Sequence, residues 1–470
     1  MKKKSLSPRT RTYSQKEPPH SSSSGFSLTR ADLETLTHSV LEKARQKGAT
    51  HAVASVSEGV GLNVCVRQGN LETIERHADK SLAITVYVGH HRGSASTCDF
   101  SESAIQQTIE TARDIARFTA EDPHGGLPDE EELARDWQDP QLFFPWAVTA
   151  TQATELALAG EQAAFAVSPR ITNSEGAHVY SQQNQFWMAN TLAFSGGYAG
   201  SHHGLSVLPI ASLGQDMQRD AWHTSQRDAK DLAPPEKIGQ YAAQRALSRL
   251  QARRLSTRQC PVIFESPLAV GLLGAYVRAI SGGALYRRSS FLLDSLDQSV
   301  WADHIHIHED PFMPKAKGSS PFDDEGVATQ ARQVLEAGVC KNYFLSSYSA
   351  RKLGLRTTGH AGGSHNLVLS SQLTTPRDDL PGLMRRMGTG LFVTELMGQG
   401  INELTGDYSR AAFGFWIENG EIAYPVQEIT IAGNLKDMFK NVIAVGNDTY
   451  THGAKTTGSI LIESMQIAGQ

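Results

Sequence analysis

The chain has little that announces a chemistry by itself. Its 470 residues contain four cysteines, Cys65, Cys98, Cys260 and Cys340, and no pair at the Cys-x2-Cys spacing. That excludes a zinc ribbon. So few thiols, so widely spaced, fit a reducing compartment, with each cysteine expected as a small buried hydrophobe. No apolar run approaches the ~18 residues of a membrane-crossing helix, so no membrane partner is expected. HExxH and GxSxG are both missing. The segments Met387-Gly388-Thr389-Gly390 and Met397-Gly398-Gln399-Gly400 do not complete GxGxxG and lie in no βαβ unit, which removes a dinucleotide reading. Their glycines are expected at strand bends or where backbones pack closely.

Charge is also unevenly supplied. The formal net charge is −5, yet Lys2, Lys3, Lys4, Arg9, Arg11 and Lys16 face only Glu17 near the start. The body is therefore more acidic than the whole, and no nucleic-acid partner is expected, because such a partner needs a basic face that displaces counterions. No apolar stretch of signal-peptide type follows the basic start. Pro18-Pro19 and the serines from Ser21 to Ser24 read as a flexible tail over residues 1–28.

What is present is an α+β pattern: an N-terminal antiparallel sheet with flanking helices, then a β-rich C-terminal domain. Hydrophobic residues make up 40% of the chain, enough for a sizeable core, and 41 glycines favour turns and strands. Thr29 to Asp32 is a capping box ahead of the Leu33, Leu36, Val40, Leu41 stripe. Four short strands are expected at 51–57, 61–68, 71–78 and 81–89, with turns at Gly59 and Gly69-Asn70. A helix is expected over 101–118, closing a first unit at 29–120 in which helices pack on one sheet face.

In the central unit, 121–255, Thr149 to Gln152 is a second capping box. Turns are expected at Ser174-Glu175-Gly176 and Ser195-Gly196-Gly197, and a helix runs from near Pro235 to Leu250. The third unit, 256–470, opens with a strand at 261–265. Ser266 is the expected N-cap of a helix with Pro267 at its first position, stopped by Gly282-Gly283. Asn419-Gly420 marks a hairpin with a type I′ turn.

Two histidine clusters are candidates for chemistry. His304, His306 and His308 alternate, so on a strand they share a face. Same-face neighbours lie roughly 6.5–7 Å apart, too linear for one metal ion, and a polar strand face is the expectation. His360 and His365 flank Ala361-Gly362-Gly363-Ser364. They fit a tight loop whose rings are satisfied by backbone groups, or else a functional surface.

The C-terminal half also carries longer strings: Ser281-Gly282-Gly283-Ala284-Leu285-Tyr286-Arg287-Arg288, Thr394-Glu395-Leu396-Met397-Gly398-Gln399-Gly400, Gly406-Asp407-Tyr408-Ser409-Arg410 and Glu428-Ile429-Thr430-Ile431-Ala432-Gly433-Asn434-Leu435. These closely resemble the TldD/PmbA metallopeptidase family, in its PmbA/TldE-type branch. The resemblance runs from about residue 30, with Arg170-Ile171-Thr172-Asn173-Ser174-Glu175-Gly176 as the anchor before residue 260, and the terminal Met465-Gln466-Ile467-Ala468-Gly469-Gln470 fits as well.

The resemblance implies a cytoplasmic metallopeptidase complex acting on extended peptides and small unfolded proteins, as in microcin maturation and antitoxin degradation. Catalytic members of the family carry a helical HExxxH and a C-terminal Cys as metal ligands. Aligned from Tyr286-Arg287-Arg288, those positions fall on Gly274, Ala275 and Ala279, and on Thr457. The resemblance thus implies no catalytic, cofactor-binding or metal-binding residue in this chain, and zinc held by a TldD-type partner subunit. Two rival readings are an autonomous metal-dependent hydrolase using His304, His306, His308, His360 or His365, and a non-proteolytic scaffold.

Overall fold

The computed structural model describes residues 25–469. Most of the expected tail lies outside them. Its last residues are fixed: Phe26 is buried, and the Ser27 and Leu28 N–H groups donate to the Glu58 carboxylate at 2.7 and 3.1 Å.

Helix α1 (Arg30–Gln46) starts at the expected capping box, with Thr29 as N-cap and its N–H donating to Asp32. The four short strands are two long ones, β1 (His51–Arg67) and β2 (Asn70–Val88). Gly59 is no turn. It pairs with Asp79 in an unbroken antiparallel register and does not take a left-handed φ, so the chain runs straight through it. Strand β3 (His91–Thr97) and helix α2 (Glu102–Phe118) complete the stretch.

Helix α3 (Ala150–Val167) begins at the second capping box. Strand β4 (Ile171–Asn190) absorbs the expected turn at 174–176 as a bulge between Ser174 and Gly176. Strands β5 (Ser195–Gly196), β6 (Ala199–Leu213), β7 (Asp216–Arg219) and β8 (Trp222–Gln226) follow, then α4 (Pro235–Ser248). All eight strands form one sheet, ordered β3-β2-β1-β4-β6-β7, with β5 on β4 and β8 on β6.

The C-terminal half opens with β9 (Arg258–Phe264), α5 (Ser266–Ala279) and α6 (Gly282–Tyr286). The N-cap of α5 is Glu265, one residue earlier than expected. Its carboxylate accepts from Arg245 of α4 at 2.6 and 3.1 Å, tying the two halves together. Gly282-Gly283 does not stop α5 but starts α6. Glycine is needed there because a Cβ on Gly282 would lie 2.2 Å from Ser349 Oγ.

Strands β10 (Ile305–Asp310), β11 (Arg332–Glu336) and β12 (Val339–Cys340) come next, then α7 (Ser347–Leu353), β13 (Asn366–Ser371), α8 (Leu380–Met387), β14 (Gly390–Met397), β15 (Asp407–Glu418) and β16 (Glu421–Asn434). The chain ends in α9 (Leu435–Lys440), β17 (Val442–Val445), β18 (Tyr450–His452), β19 (Lys455–Thr457) and β20 (Ile460–Ala468). One sheet is ordered β12-β11-β10-β13-β19-β18. The other runs β16-β15-β14-β9-β20-β17 and closes on itself through β16–β20 pairs. The β15–β16 hairpin turns at Asn419 and Gly420 with φ of 53° and 80°, as a type I′ turn requires. The glycines at 390 and 400 are close-packing residues: a Cβ would lie 2.5 Å from the Pro261 carbonyl and 1.5 Å from that of Ser409.

One core packs α5 against both C-terminal sheets, with Trp301 stacked on Phe439 at 4.1 Å. The large N-terminal sheet turns Trp187 and Ala189 of β4 toward α1 and α2. Its opposite face meets the C-terminal half at Phe322, whose ring lies 5.0 Å from Phe194 and 5.3 Å from Trp137. Burying a side chain of this size stabilises by about 1.5–3 kcal/mol. Three cysteines are buried as expected, but Cys98, just past β3, is exposed.

Candidate functional site

Strand β10 separates its two faces cleanly. Ile305, Ile307 and Glu309 point inward and are buried, while His306 and His308 point outward. The alternating histidines therefore do not converge. His304 lies just before the strand; its Nε2 donates to the Val442 carbonyl at 2.9 Å and its Nδ1 meets Ser371 Oγ at 2.8 Å. His306 contacts the Ala337 N–H and Gln372, and His308 is exposed.

The inward Glu309 is the residue the sequence reading missed. It follows two isoleucines at the strand period, so its place in the core was legible once the strand was granted. Its Oε1 accepts the backbone N–H of His365 at 2.7 Å. Its Oε2 lies 2.8 Å from Arg332 Nε and 2.9 Å from His360 Nε2. His360 and His365 are thus brought together on one carboxylate, with ring centres 5.0 Å apart. The reading in which backbone groups satisfy both rings is corrected, because His360 is held by Glu309 and Thr358 Oγ1, with Arg332 beside it.

Burial alone would raise the Glu309 carboxyl. The hydrogen bond from His360 and the positive charge of Arg332 reverse that and hold it at about 2. Burial pushes His365 down to about 4 and lowers His360 as well, so both rings are neutral near pH 7.

One carboxylate and two neutral imidazoles with ligand atoms within 4.8 Å of one another are a chemically sound donor set for a divalent metal. The His365 Nε2 is buried and has no hydrogen-bond partner. Arg332 decides against the fit. Its guanidinium touches both Glu309 and His360, the latter at 3.1 Å, and so already occupies the cation position. A metal ion beside it would meet an uncompensated positive charge. At the other aligned place, Gly274, Ala275 and Ala279 lie on α5, and Thr457 lies on β19, which packs against that helix. Glycine and alanine offer no ligand atom, and the Thr457 hydroxyl is spent on the Gly458 carbonyl. Neither place fits a metal ion as built.

Two neighbouring cavities lie on this side of the molecule, and the smaller reaches the Glu309 group through His365. A trough of about 1020 Å³ lies along the sheet face that carries Ser55, Ser57, Thr85 and Met188, and is closed by Glu325 and Tyr348 from the C-terminal half. A smaller pocket of about 410 Å³ is lined by Arg227, Lys317 and the 361–365 loop. Phe186 and Asp324 line both, so the two are neighbours.

Comparison with known proteins agrees in sequence and in fold. Residues 52–116, 144–250 and 257–469 match, in turn, domain 1, the central domain and the C-terminal domain of the PmbA/TldA metallopeptidases. The chain is 47% identical over 441 residues to Metalloprotease PmbA of Escherichia coli O157:H7, covering 94% of this chain and 97% of that one. It is 42% identical to a Metalloprotease PmbA homolog of Haemophilus influenzae, covering 96% and 100%. Among solved structures, a Bacteroides thetaiotaomicron protein described as a modulator of DNA gyrase superposes with a TM-score of 0.88 at 25% identity, covering 94% of this chain and all of that one. TldE from Thermococcus kodakarensis shares the fold, with a TM-score of 0.81 at 18% identity and coverage of 92% and 100%.

Proposed function

The chain belongs to the PmbA/TldD metallopeptidase family, and from that premise we propose that it is the PmbA/TldE-type, non-catalytic subunit of a cytoplasmic peptidase complex. Its partner is a TldD-type subunit that holds the zinc. Its substrates are extended peptides and small unfolded proteins, with microcin maturation and antitoxin degradation as the physiological settings. The observation that carries the reading is the filled cation position: Arg332 stands where the one buried His/Glu group among the described residues would hold a metal. The side chains at 274, 275, 279 and 457 support the same conclusion.

The substrate class has its own support. Among the described residues, 70–80 of β2 pair with β1 on one side only, since β3 pairs no earlier than Leu82. A free strand edge and a strand-lined trough both suit an extended backbone, which adds main-chain hydrogen bonds without reading sequence closely. Among the described residues no helix is long and apolar enough to cross a membrane, which is compatible with the cytoplasmic assignment.

Co-expression with a TldD-type chain tests the proposal. A stable complex that cleaves an unfolded peptide, with zinc at one equivalent per pair and none in this chain alone, is the expected result. Stoichiometric zinc in the isolated chain, lost together with peptidase activity on replacing His360 and His365, would establish the autonomous hydrolase instead.

A further inference from the structure

The smaller pocket holds two cations that form no ion pair among the described residues. Lys317 and Arg227 line it, and both are half-buried. Among the described residues Lys317 Nζ has one hydrogen bond, to Ser225 Oγ at 2.9 Å, and no carboxylate within ion-pair distance. Arg227 gives its donors to backbone carbonyls: Nε to Ala316 at 3.1 Å, Nη2 to Lys317 at 2.9 Å and Nη1 to Ser201 at 3.4 Å. Burial, then the charge of Arg227, lowers the Lys317 ammonium.

Lys317 is nonetheless held in place. Ser225 Oγ is fixed by Tyr180 at 2.8 Å and by His202 Nε2 at 2.5 Å. Burial, then the charges of Lys317 and Arg227, keeps His202 neutral with a pKa of about 4. His365 lines the same pocket at 5% exposure, and its Nε2 has no partner.

The acids of the pocket form no ion pair with either cation, and burial raises both carboxyls. Asp323 is committed to backbone N–H groups: Oδ1 accepts from Glu325 and Val327, and Oδ2 accepts from Ala361 at 2.9 Å. Asp324 lines both the pocket and the trough. Two half-buried cations and a histidine with an orphaned ring nitrogen, all lining one pocket, call for an anion, because an uncompensated buried charge is costly. The trough is built on strands and suits an extended chain. The negative group that any such chain carries at its end is the terminal carboxylate.

We propose that this pocket binds the free carboxylate end of a peptide lying in the trough, with Lys317 and Arg227 supplying the charge and His365 Nε2 a hydrogen bond. The inference rests on the peptide-binding reading above and deepens it: the substrate is recognised by its end as well as by its backbone.

Calorimetric titration of the full-length chain tests this with one short unstructured peptide in two forms, free acid and C-terminal amide. A hydrogen-bonded charge contact predicts that the acid binds about tenfold more tightly or better. Lys317→Met is expected to erase that preference while leaving the affinity for the amide unchanged. Inorganic phosphate is expected to compete with the acid and not with the amide. Equal binding of acid and amide by the unaltered chain overturns carboxylate recognition and leaves peptide binding standing. Binding of neither form, with or without a TldD-type partner, overturns both readings. Phosphate that binds well while acid and amide stay equal makes the pocket a phosphate site and refutes the peptide terminus. Lys317→Met should also raise the melting temperature without ligand, because it removes a repelled cation; a fall would mark Lys317 as a structural pin and overturn the proposal.

Discussion

The Glu309 group and the Lys317 pocket share one residue, His365, and treat charge in opposite ways. Around Glu309 every ionised group meets its complement: Arg332 and His360 share one carboxylate oxygen, and the His365 backbone takes the other. Around Lys317 two cations stand without an ion pair among the described residues, and only a serine hydroxyl holds the lysine. A cluster that carries its own counterion fixes the fold, here by anchoring the 359–365 loop to β10. A cluster that lacks one leaves a position for a ligand. His365 belongs to both, with its backbone N–H on Glu309 and its side chain among the residues that line the pocket.

The largest test of this contrast is Arg332→Ala. The Arg332 and Glu309 side chains are 8% and 1% exposed, so removing the guanidinium strands a buried carboxylate. Breaking a buried pair in this way costs about 3–5 kcal/mol, read by urea unfolding. A loss well under that would mean the group is not self-contained and would erase the difference from the Lys317 pocket. The same variant leaves a carboxylate and two imidazoles around an opened space. Zinc is expected to raise the melting temperature of Arg332→Ala, reversibly with chelator, and to leave the unaltered protein unmoved.

Acid comes next in size. His365 and His202 both sit near pKa 4, below the ordinary 6.5. The unfolded chain therefore takes up protons first, and the stability these neutral rings contribute is complete above pH 6.5 and lost as pH falls toward 4. Glu309 sits near 2, below its ordinary 4.5. Its contribution is present above 4.5 and lost as pH falls toward 2. At roughly 1.4 kcal/mol per pKa unit, the well-buried His365 and Glu309 are each worth up to about 3 kcal/mol. Denaturant unfolding at a series of pH values should show two falling windows. His365→Asn should shallow the upper one and move the Glu309 window slightly upward, because the His365 charge helps hold that carboxyl down.

How much of this was legible in the sequence depends on whether the signal was local. Both capping boxes, at Thr29 and Thr149, and the Asn419-Gly420 turn are where the residues place them, because each is closed by atoms within four positions. Gly59 and Gly176 misled as turns because a sheet partner fixes the backbone there: Gly59 continues a register and Gly176 completes a bulge. Gly282 misled as a helix stop because its reason is Ser349 of α7, far along the chain. At the candidate site His360 and His365 were singled out, but what joins them comes from β10 and β11. The conspicuous run of three histidines drew the eye to the outward face, while Glu309 followed Ile305 and Ile307 inward. The Lys317 pocket carries no sequence signature, since Tyr180, His202, Ser225 and Lys317 meet only when β4, β6, β8 and the 316–324 loop are assembled.

The smallest test removes one hydroxyl from each side. Thr358 Oγ1 accepts the Leu345 N–H at 2.8 Å and lies 3.0 Å from His360 Nδ1, beneath the closed cluster. In Thr358→Val those groups lose their partner where water has little access, which costs about 1–3 kcal/mol. Ser225→Ala deletes an equal group from the open pocket. Water there can take its place on Lys317, His202 and Tyr180, so the expected loss is under about 1 kcal/mol. What Ser225→Ala should change instead is the preference for a free-acid peptide over its amide, because Lys317 is no longer held on a fixed point. A larger stability loss for Ser225→Ala than for Thr358→Val would invert the contrast: the pocket would then be the structural element, and Lys317 one of its supports.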